Sequence, residues 1–366
     1  MNFILPKFRE PDFSLKKFIS APAIKTQLVV ADGVAPDNYH ATSIYPEYYK
    51  VKDNWILARE SRMDCLAVLR DEGIIEVVEF RNLVARDRVV LGRSENCEEG
   101  IFVLVDPFSL LEEEVEQNFS FRGGRSRESS YSMDYDNLYD LLKYEKEEGY
   151  IVWVLGPAAV FDYDSKIAME KLIRNGYVDV IFAGNALATH DLEGSILKTA
   201  LGQDIYNQKV VFNGHYNHID VINKVRRAGS IEKFLQEENI HNGVIYSCVN
   251  NNVPFVLAGS IRDDGPMPEV MSDAYEAQDK MREHLKKATT VICLATMLHT
   301  IATGNMLPIY KIEEWGIRPV YFYTVDVSEF AVNKLRDRGS LEVTSIVTNV
   351  QDFLVNISNN LTKEMD

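Results

Sequence analysis

The residues best suited to chemistry stand just past apolar runs that stop abruptly. In Pro254–Pro266, P-F-V-L-A-G-S-I-R-D-D-G-P, four apolar residues give way to Gly259 and then to Arg262, Asp263 and Asp264. The apolar part reads as a short buried strand. Gly259 permits a tight turn or a close backbone approach to a ligand. An arginine beside two acids suits a substrate that carries both carboxylate and ammonium. The same trio also makes an ordinary solvated loop with a local ion pair. A second run, A-G-N-A-L-A-T-H-D-L-E, Ala183–Glu193, sets Asn185, His190, Asp191 and Glu193 after another apolar segment. Together these residues suggest a reacting centre. Asp263 would accept an ammonium and His190 would shuttle a proton. Arg262 would either bind carboxylate or hold Asp191 in a structural pair.

Other clusters are weaker. N-G-H-Y-N-H brings His215 and His218 three residues apart, but there is no H-E-x-x-H and no consistent ligand set, so no metal is expected. In F-R-G-G-R-S-R-E-S-S-Y, Arg125 and Arg127 suit either an anion-binding loop that closes over the site or a flexible linker. Thr42-Ser43 and Met63-Asp64-Cys65 read as turn chemistry and a strand start.

The elements that must position these residues fall into two regimes. From about Ala31 to Pro107 the chain runs in short β-rich segments, punctuated by Gly, Asn and Asp, which predicts a small antiparallel sheet or barrel. From Tyr150 onward, apolar strands alternate with amphipathic helices. Strands are expected before Gly156, Gly184, Gly259, Thr296, Asp326 and Thr348, and helices over Ser165–Asn175, His218–Glu238, Met271–Lys287 and Glu329–Arg338. That pattern predicts an α/β, Rossmann-like parallel sheet covered on both faces, with ligands at the carboxyl ends of its strands. The expected division is a β-rich substrate-side domain over 1–120, a linker and helix over 121–149, and the Rossmann-like domain over 150–366. The G-x-G-x-x-G fingerprint is absent. Asp326 suits a ribose hydroxyl pair, or equally the cap of a helix starting near Ser328.

Composition bounds the function. The net charge of −16 disfavours nucleic acid as a partner. No apolar run is long enough to span a membrane, and the N-terminus carries acids and a proline too early for a signal peptide. Cys65, Cys97, Cys248 and Cys293 are far apart and form no CxxC, which fits buried thiols in a reducing cytoplasm.

From about Pro36 to the end, longer matches accumulate: V-L-G-P-A, A-G-N-A-L-A-T-H-D-L-E, V-N-N-N-V-P-F-V-L-A-G-S-I-R-D-D-G-P-M-P, E-A-Q-D-K-M-R-E-H, L-A-T-M-L-H-T-I-A-T-G-N-M-L-P, V-D-V, D-R-G-S and I-V-T-N-V. On these the chain resembles the archaeal-type ornithine cyclodeaminase family. The same module forms the C-terminal part of bifunctional arginine dihydrolase/ornithine cyclodeaminase. The resemblance implies an NAD-dependent enzyme that makes proline and ammonia from ornithine. Hydride passes from the α-carbon to NAD, the δ-amine attacks the resulting imine, ammonia leaves, and hydride returns. It implies cofactor contacts at Asn185, Ala186, Asp264, Thr296, Met297, Leu298, His299, Asp326, Asn349 and Val350, with NAD preferred over NADP because Asp326 would repel a 2′-phosphate. A small amino acid or amine is the expected substrate, and a homo-oligomer the expected assembly. The sequence departs from the family at Phe161, where a histidine is usual, and in Thr42–Glu47, where Glu47 stands for a threonine. Those departures keep two other readings open: another NAD-dependent enzyme acting on an amine, by imine reduction or aminoalkyl transfer, and a non-catalytic NAD-binding protein. Aminoalkyl transfer normally needs a lysine to carry the intermediate, and none stands in the strand-end clusters.

Overall fold

The computed structural model describes residues 3–109, 132–263, 265–328 and 342–362. Asp264, the Arg125/Arg127 loop, the stretch 110–118 and the helix expected over Glu329–Arg338 lie outside the described residues.

The N-terminal part is short antiparallel strands, as the punctuation by turn residues predicts. It holds β1 (Lys7–Phe8), α1 (Lys16–Ile19), β2 (Lys25–Leu28), β3 (Glu47–Val51), β4 (Asn54–Leu57), β5 (Leu66–Leu69), β6 (Ile75–Val78), β7 (Arg88–Leu91), β8 (Ile101–Val103) and β9 (Phe108–Ser109). They form a four-stranded sheet, β2-β7-β5-β6, a three-stranded sheet, β4-β3-β8, and a β1–β9 pair, with every pairing antiparallel. Alternating residues such as Tyr49, Ala67, Ile75 and Val90 fill the small core between the sheets.

The C-terminal part begins with α2 (Ser132–Glu148), β10 (Ile151–Leu155), α3 (Tyr163–Arg174), β11 (Val180–Gly184), α4 (Asn185–Leu197), and the short hairpin β12 (Thr199–Ala200) and β13 (Gln203–Asp204). It continues through α5 (Asn217–Ala228), α6 (Ile231–Glu237), α7 (Val244–Asn250), β14 (Phe255–Ala258), β15 (Val270–Met271), α8 (Ala274–Leu285), β16 (Thr290–Leu294) and α9 (Met297–Met306). The hairpin β17 (Tyr310–Glu313) and β18 (Gly316–Pro319) leads to β19 (Tyr321–Asp326), β20 (Glu342–Val347) and α10 (Val350–Leu361). Seven strands form one parallel sheet in the order β15-β14-β11-β10-β16-β19-β20. β10 and β16 are buried along their whole length, as apolar runs without alternation require of a sheet covered on both faces. One face packs on α3, α4, α7 and α10 through Leu172, Leu187, Ile245 and Phe353. The other packs on α8 and α9 through Met281, Leu285 and Met306.

The chain builds outward from β10 to one edge, returns beside β10 as β16, and builds to the other edge. The carboxyl ends of β10 and β16 are therefore the switch point at which open α/β sheets bind ligands.

Three expectations need correcting. The helix expected over His218–Glu238 is two, α5 and α6, because Gly229 adopts φ 87° and Ser230 caps the second. The start expected at Met271 is a strand, β15, and α8 begins only after Asp273 caps it. The cluster expected just past a strand end extends along a helix: Asn185–Leu197 is helical throughout, so only Asn185 directly follows β11, and His190 and Asp191 lie inside α4.

Candidate active site

At the switch point the two central strands end on touching backbone. The Gly156 amide donates to the Leu294 carbonyl at 2.8 Å, and a Cβ at 156 would overlap the Ala295 carbonyl. Ala295 itself takes φ 48°, a left-handed turn that swings the chain into α9. α9 starts after Thr296, with Met297 and Leu298 exposed in its first turn. On the other side of β10, α4 starts directly after Gly184. Asn185 is buried and its Oδ1 accepts the Met267 amide at 3.2 Å, while Ala186 is exposed beside it. Two helix N-termini thus flank the end of β10, each with amides that have no intrahelical partner.

His299 joins the two. Its ring lies over the end of β11: a Cβ on Gly184 would stand 3.2 Å from the His299 Cε1 and 3.6 Å from the Ala258 carbonyl at the end of β14. Burial holds the imidazole below its ordinary range, against an opposing pull from the Asp263 carboxylate. Asp263 lies in the turn after β14, with its Oδ2 accepting the Ser260 amide at 2.8 Å, and Arg262 beside it is exposed. Farther along the same edge, Asp326 ends β19 and accepts the Ser328 amide at 2.8 Å. Asn349 caps α10 through the Gln351 amide at 2.8 Å, and the Val350 side chain is in the core.

His190 and Asp191 have other work. Asp191 is fully buried, accepts the Val244 and Ile245 amides at 3.0 and 2.8 Å, and pairs with Lys166 at 3.3 Å. It anchors the start of α7. The Arg262–Asp191 pair suggested by sequence is not formed; Lys166 of α3 takes that place. A lysine does therefore reach this cluster, 25 residues away in sequence, but its Nζ is occupied by the Asp191 carbonyl at 2.6 Å and Ser195 Oγ at 2.8 Å. His190 gives its Nδ1 to Glu193 at 2.8 Å. Glu193 accepts Thr199 Oγ1 at 2.7 Å, which in turn accepts Asn217 Nδ2 at 2.8 Å. Phe161, the departure from the family pattern, packs its edge against His190 at 5.4 Å.

The β-rich part contributes an inter-domain crevice. The two clusters read as turn chemistry bind each other: Thr42 N donates to the Cys65 carbonyl at 2.9 Å and Asp64 N to the Thr42 carbonyl at 3.1 Å. Met63, Asp64 and Cys65, with Arg62, line a groove of about 350 Å³ whose other wall carries Tyr275 of α8 and Asn305 of α9. Asn305 Oδ1 is buried without a hydrogen-bond partner among the described residues. Beneath this cavity Arg282 of α8 bridges Glu60, at 2.7 Å, and the Met306 carbonyl. Glu47, the other departure, is buried and bound by His40 Nε2 at 3.0 Å, Ser43 N and Oγ at 2.7 Å each, and the Tyr49 hydroxyl. Burial pushes its carboxyl up, and the histidine and hydroxyl donors outweigh that and hold it below the usual value. The sequence pointed to neither Glu60–Arg282 nor Glu47–His40, since no local pattern marks a pairing between separate strands or domains.

Comparison with known proteins sets this geometry in a family. Residues 138–357 match the family described as arginine dihydrolase ArgZ-like, C-terminal, Rossmann fold. Ornithine cyclodeaminase of Archaeoglobus fulgidus is 39% identical over 348 residues, covering 94% of this chain and 79% of that protein. The chain belongs to the archaeal-type ornithine cyclodeaminase family. Among solved structures, the LOR/SDH protein from Methanococcus maripaludis S2 superposes with a TM-score of 0.83 at 34% identity, covering 93% of this chain and 99% of that one. AgrE, a bifunctional arginine dihydrolase/ornithine cyclodeaminase known from Nostoc sp., has been solved with ornithine and NAD+. That complex superposes with a TM-score of 0.58 at 33% identity, covering 94% of this chain and 47% of AgrE.

Proposed function

We propose that this chain converts L-ornithine to L-proline and ammonia with NAD and without net oxidation. The observation that carries this reading is the convergence of the α4 and α9 N-termini, with His299 between them, at the switch point of a chain from this family. The residues fit NAD. Amides at Asn185–Ala186 and Thr296–Leu298 suit its diphosphate. Among the described residues only the Ser328 amide binds the Asp326 carboxylate, which leaves it able to take ribose hydroxyls and to repel a 2′-phosphate. Asn349 and Val350 would close that end, and Asp264, next to Asp263 in sequence, is a further proposed contact. When bound, NAD supplies a hydride acceptor and donor at the substrate's α-carbon.

The protein's part is positioning, proton handling and exclusion of water. Asp263 accepts an ammonium of the substrate and Arg262 its carboxylate. His190 and Asp191, buried in α4, hold the wall of the site. We assign the β-rich part, 1–120, to the substrate side and 150–366 to the nucleotide. Separate hydrophobic cores in the two parts support this division. Four buried free cysteines support a cytoplasmic location. Among the described residues no helix is long and apolar enough to cross a membrane. Exposed Leu201, Tyr206, Val210 and Phe212 around the β12–β13 hairpin support a homo-oligomer.

The test is product analysis of purified protein with L-ornithine and a catalytic amount of NAD. Proline and ammonia in equal amounts, with no accumulating NADH, are expected. Stoichiometric NADH would make the protein a dehydrogenase instead.

A further inference from the structure

Among the described residues, His40, His190, His241 and His284 each commit a ring nitrogen to a hydrogen bond with a neighbouring side chain. His299, like His215 and His218, commits neither, and its half-buried ring lies at the carboxyl end of β11. Its ring occupies the space a side chain at 184 would need, so that position favours glycine. From β11 it meets Gly184, and from the turn after β14 it feels the charge of Asp263. Among the described residues the one charge that bears on it therefore belongs to a residue already placed at the reacting centre. His190, the histidine singled out by sequence, is bound to Glu193 in the interior of α4.

We propose that His299 is the general base that takes a proton from the substrate's α-ammonium, with Asp263 holding the resulting imidazolium. This rests on the cyclodeaminase reading. An ammonium nitrogen has no electron pair to form a C=N bond as hydride leaves the α-carbon. Transfer of one N–H proton to a His299 ring nitrogen leaves that bond's electrons on the amine and supplies the pair. The imidazolium returns a proton to the same nitrogen when it departs as ammonia, so the histidine ends the cycle neutral. Burial keeps it neutral, and therefore basic, at the start.

His299→Gln separates this role from a mere nucleotide contact. With NAD and ornithine both saturating, kcat should fall at least about a hundredfold while the NAD dissociation constant, from calorimetry, stays within about threefold. Imidazole should restore part of the turnover of His299→Ala. In the ligand-free protein, NMR titration of the His299 Cε1 proton should move to lower pH in Asp263→Asn, because that substitution removes the one opposing charge. Full kcat with weakened NAD binding, or a titration indifferent to Asp263, would overturn the proposal. If the wild-type protein forms no proline, the cyclodeaminase reading fails first, and the NMR result still decides whether the His299–Asp263 pair exists.

Discussion

Burial separates the two aspartates that sequence placed together. Asp191 is sealed under α7 with Lys166, whereas Asp263 stands in a half-exposed turn beside Arg262. Asp263→Asn removes charge with little change in volume. Ornithine turnover should therefore be abolished while NAD affinity stays within about threefold. Retained turnover in a steady-state assay would place the chemistry elsewhere. Asp326→Ala should weaken NAD binding by about 1–3 kcal/mol, the scale of lost charge-assisted hydrogen bonds. An unchanged affinity in calorimetry would remove Asp326 from the site. At this scale the sequence placed Asp263 past an apolar run and Asp326 at the end of one, and the structure puts them in the turn after β14 and at the end of β19. The sequence was less informative at His190 and Asp191, because the flanking Leu187, Ala188 and Leu192 are the buried face of a helix that carries both residues past the strand end. Lys166 was invisible for a plainer reason: its contact with Asp191 crosses from α3 to α4, and nothing local records it.

Elements hold these side chains in place, and their joints predict where substitution will be costly. Asp191 satisfies the first amides of α7 and the charge of Lys166, so Asp191→Ala leaves a buried ammonium without its partner. A loss of about 3–5 kcal/mol in urea denaturation is expected. A loss below 1 kcal/mol would mean the pair is not maintained in solution. Gly184→Ala puts a methyl group within 3.2 Å of the His299 ring. The ring must move by a few tenths of an ångström, so turnover should drop with little change in melting temperature. The parallel strands were legible because they are continuous apolar runs. α4 and α9 were not, because their sequences, A-L-A-T-H-D-L-E and M-L-H-T-I-A-T-G, look like strand-end decoration until the buried faces are known.

The whole molecule is two layered parts clasped across α8, through Arg282 with Glu60 and through Arg81 with Asp279 at 2.6 Å. Tyr310 reaches back from the β17–β18 hairpin to the Ala58 carbonyl at 2.6 Å. These contacts hold the crevice of Asp64 and Asn305 against α9. On the opposite flank the apolar residues around β12–β13 are left to solvent in a single chain. Val210→Asp with Phe212→Asp should shift the assembly toward monomer in analytical ultracentrifugation. An unchanged sedimentation coefficient would put any interface elsewhere. The architecture followed from the alternation of strands and helices. The clasp did not, since charged pairs between parts distant in sequence carry no periodic signature.

The most direct test of the account uses L-ornithine labelled with 15N at the α-amine and deuterium at the α-carbon, incubated with protein and NAD and analysed by mass spectrometry. A cyclodeaminase that lends and recovers hydride should release 15N-ammonia and form proline that lacks 15N and keeps deuterium at its α-carbon. Proline that retains 15N, or that has lost the deuterium, would contradict it.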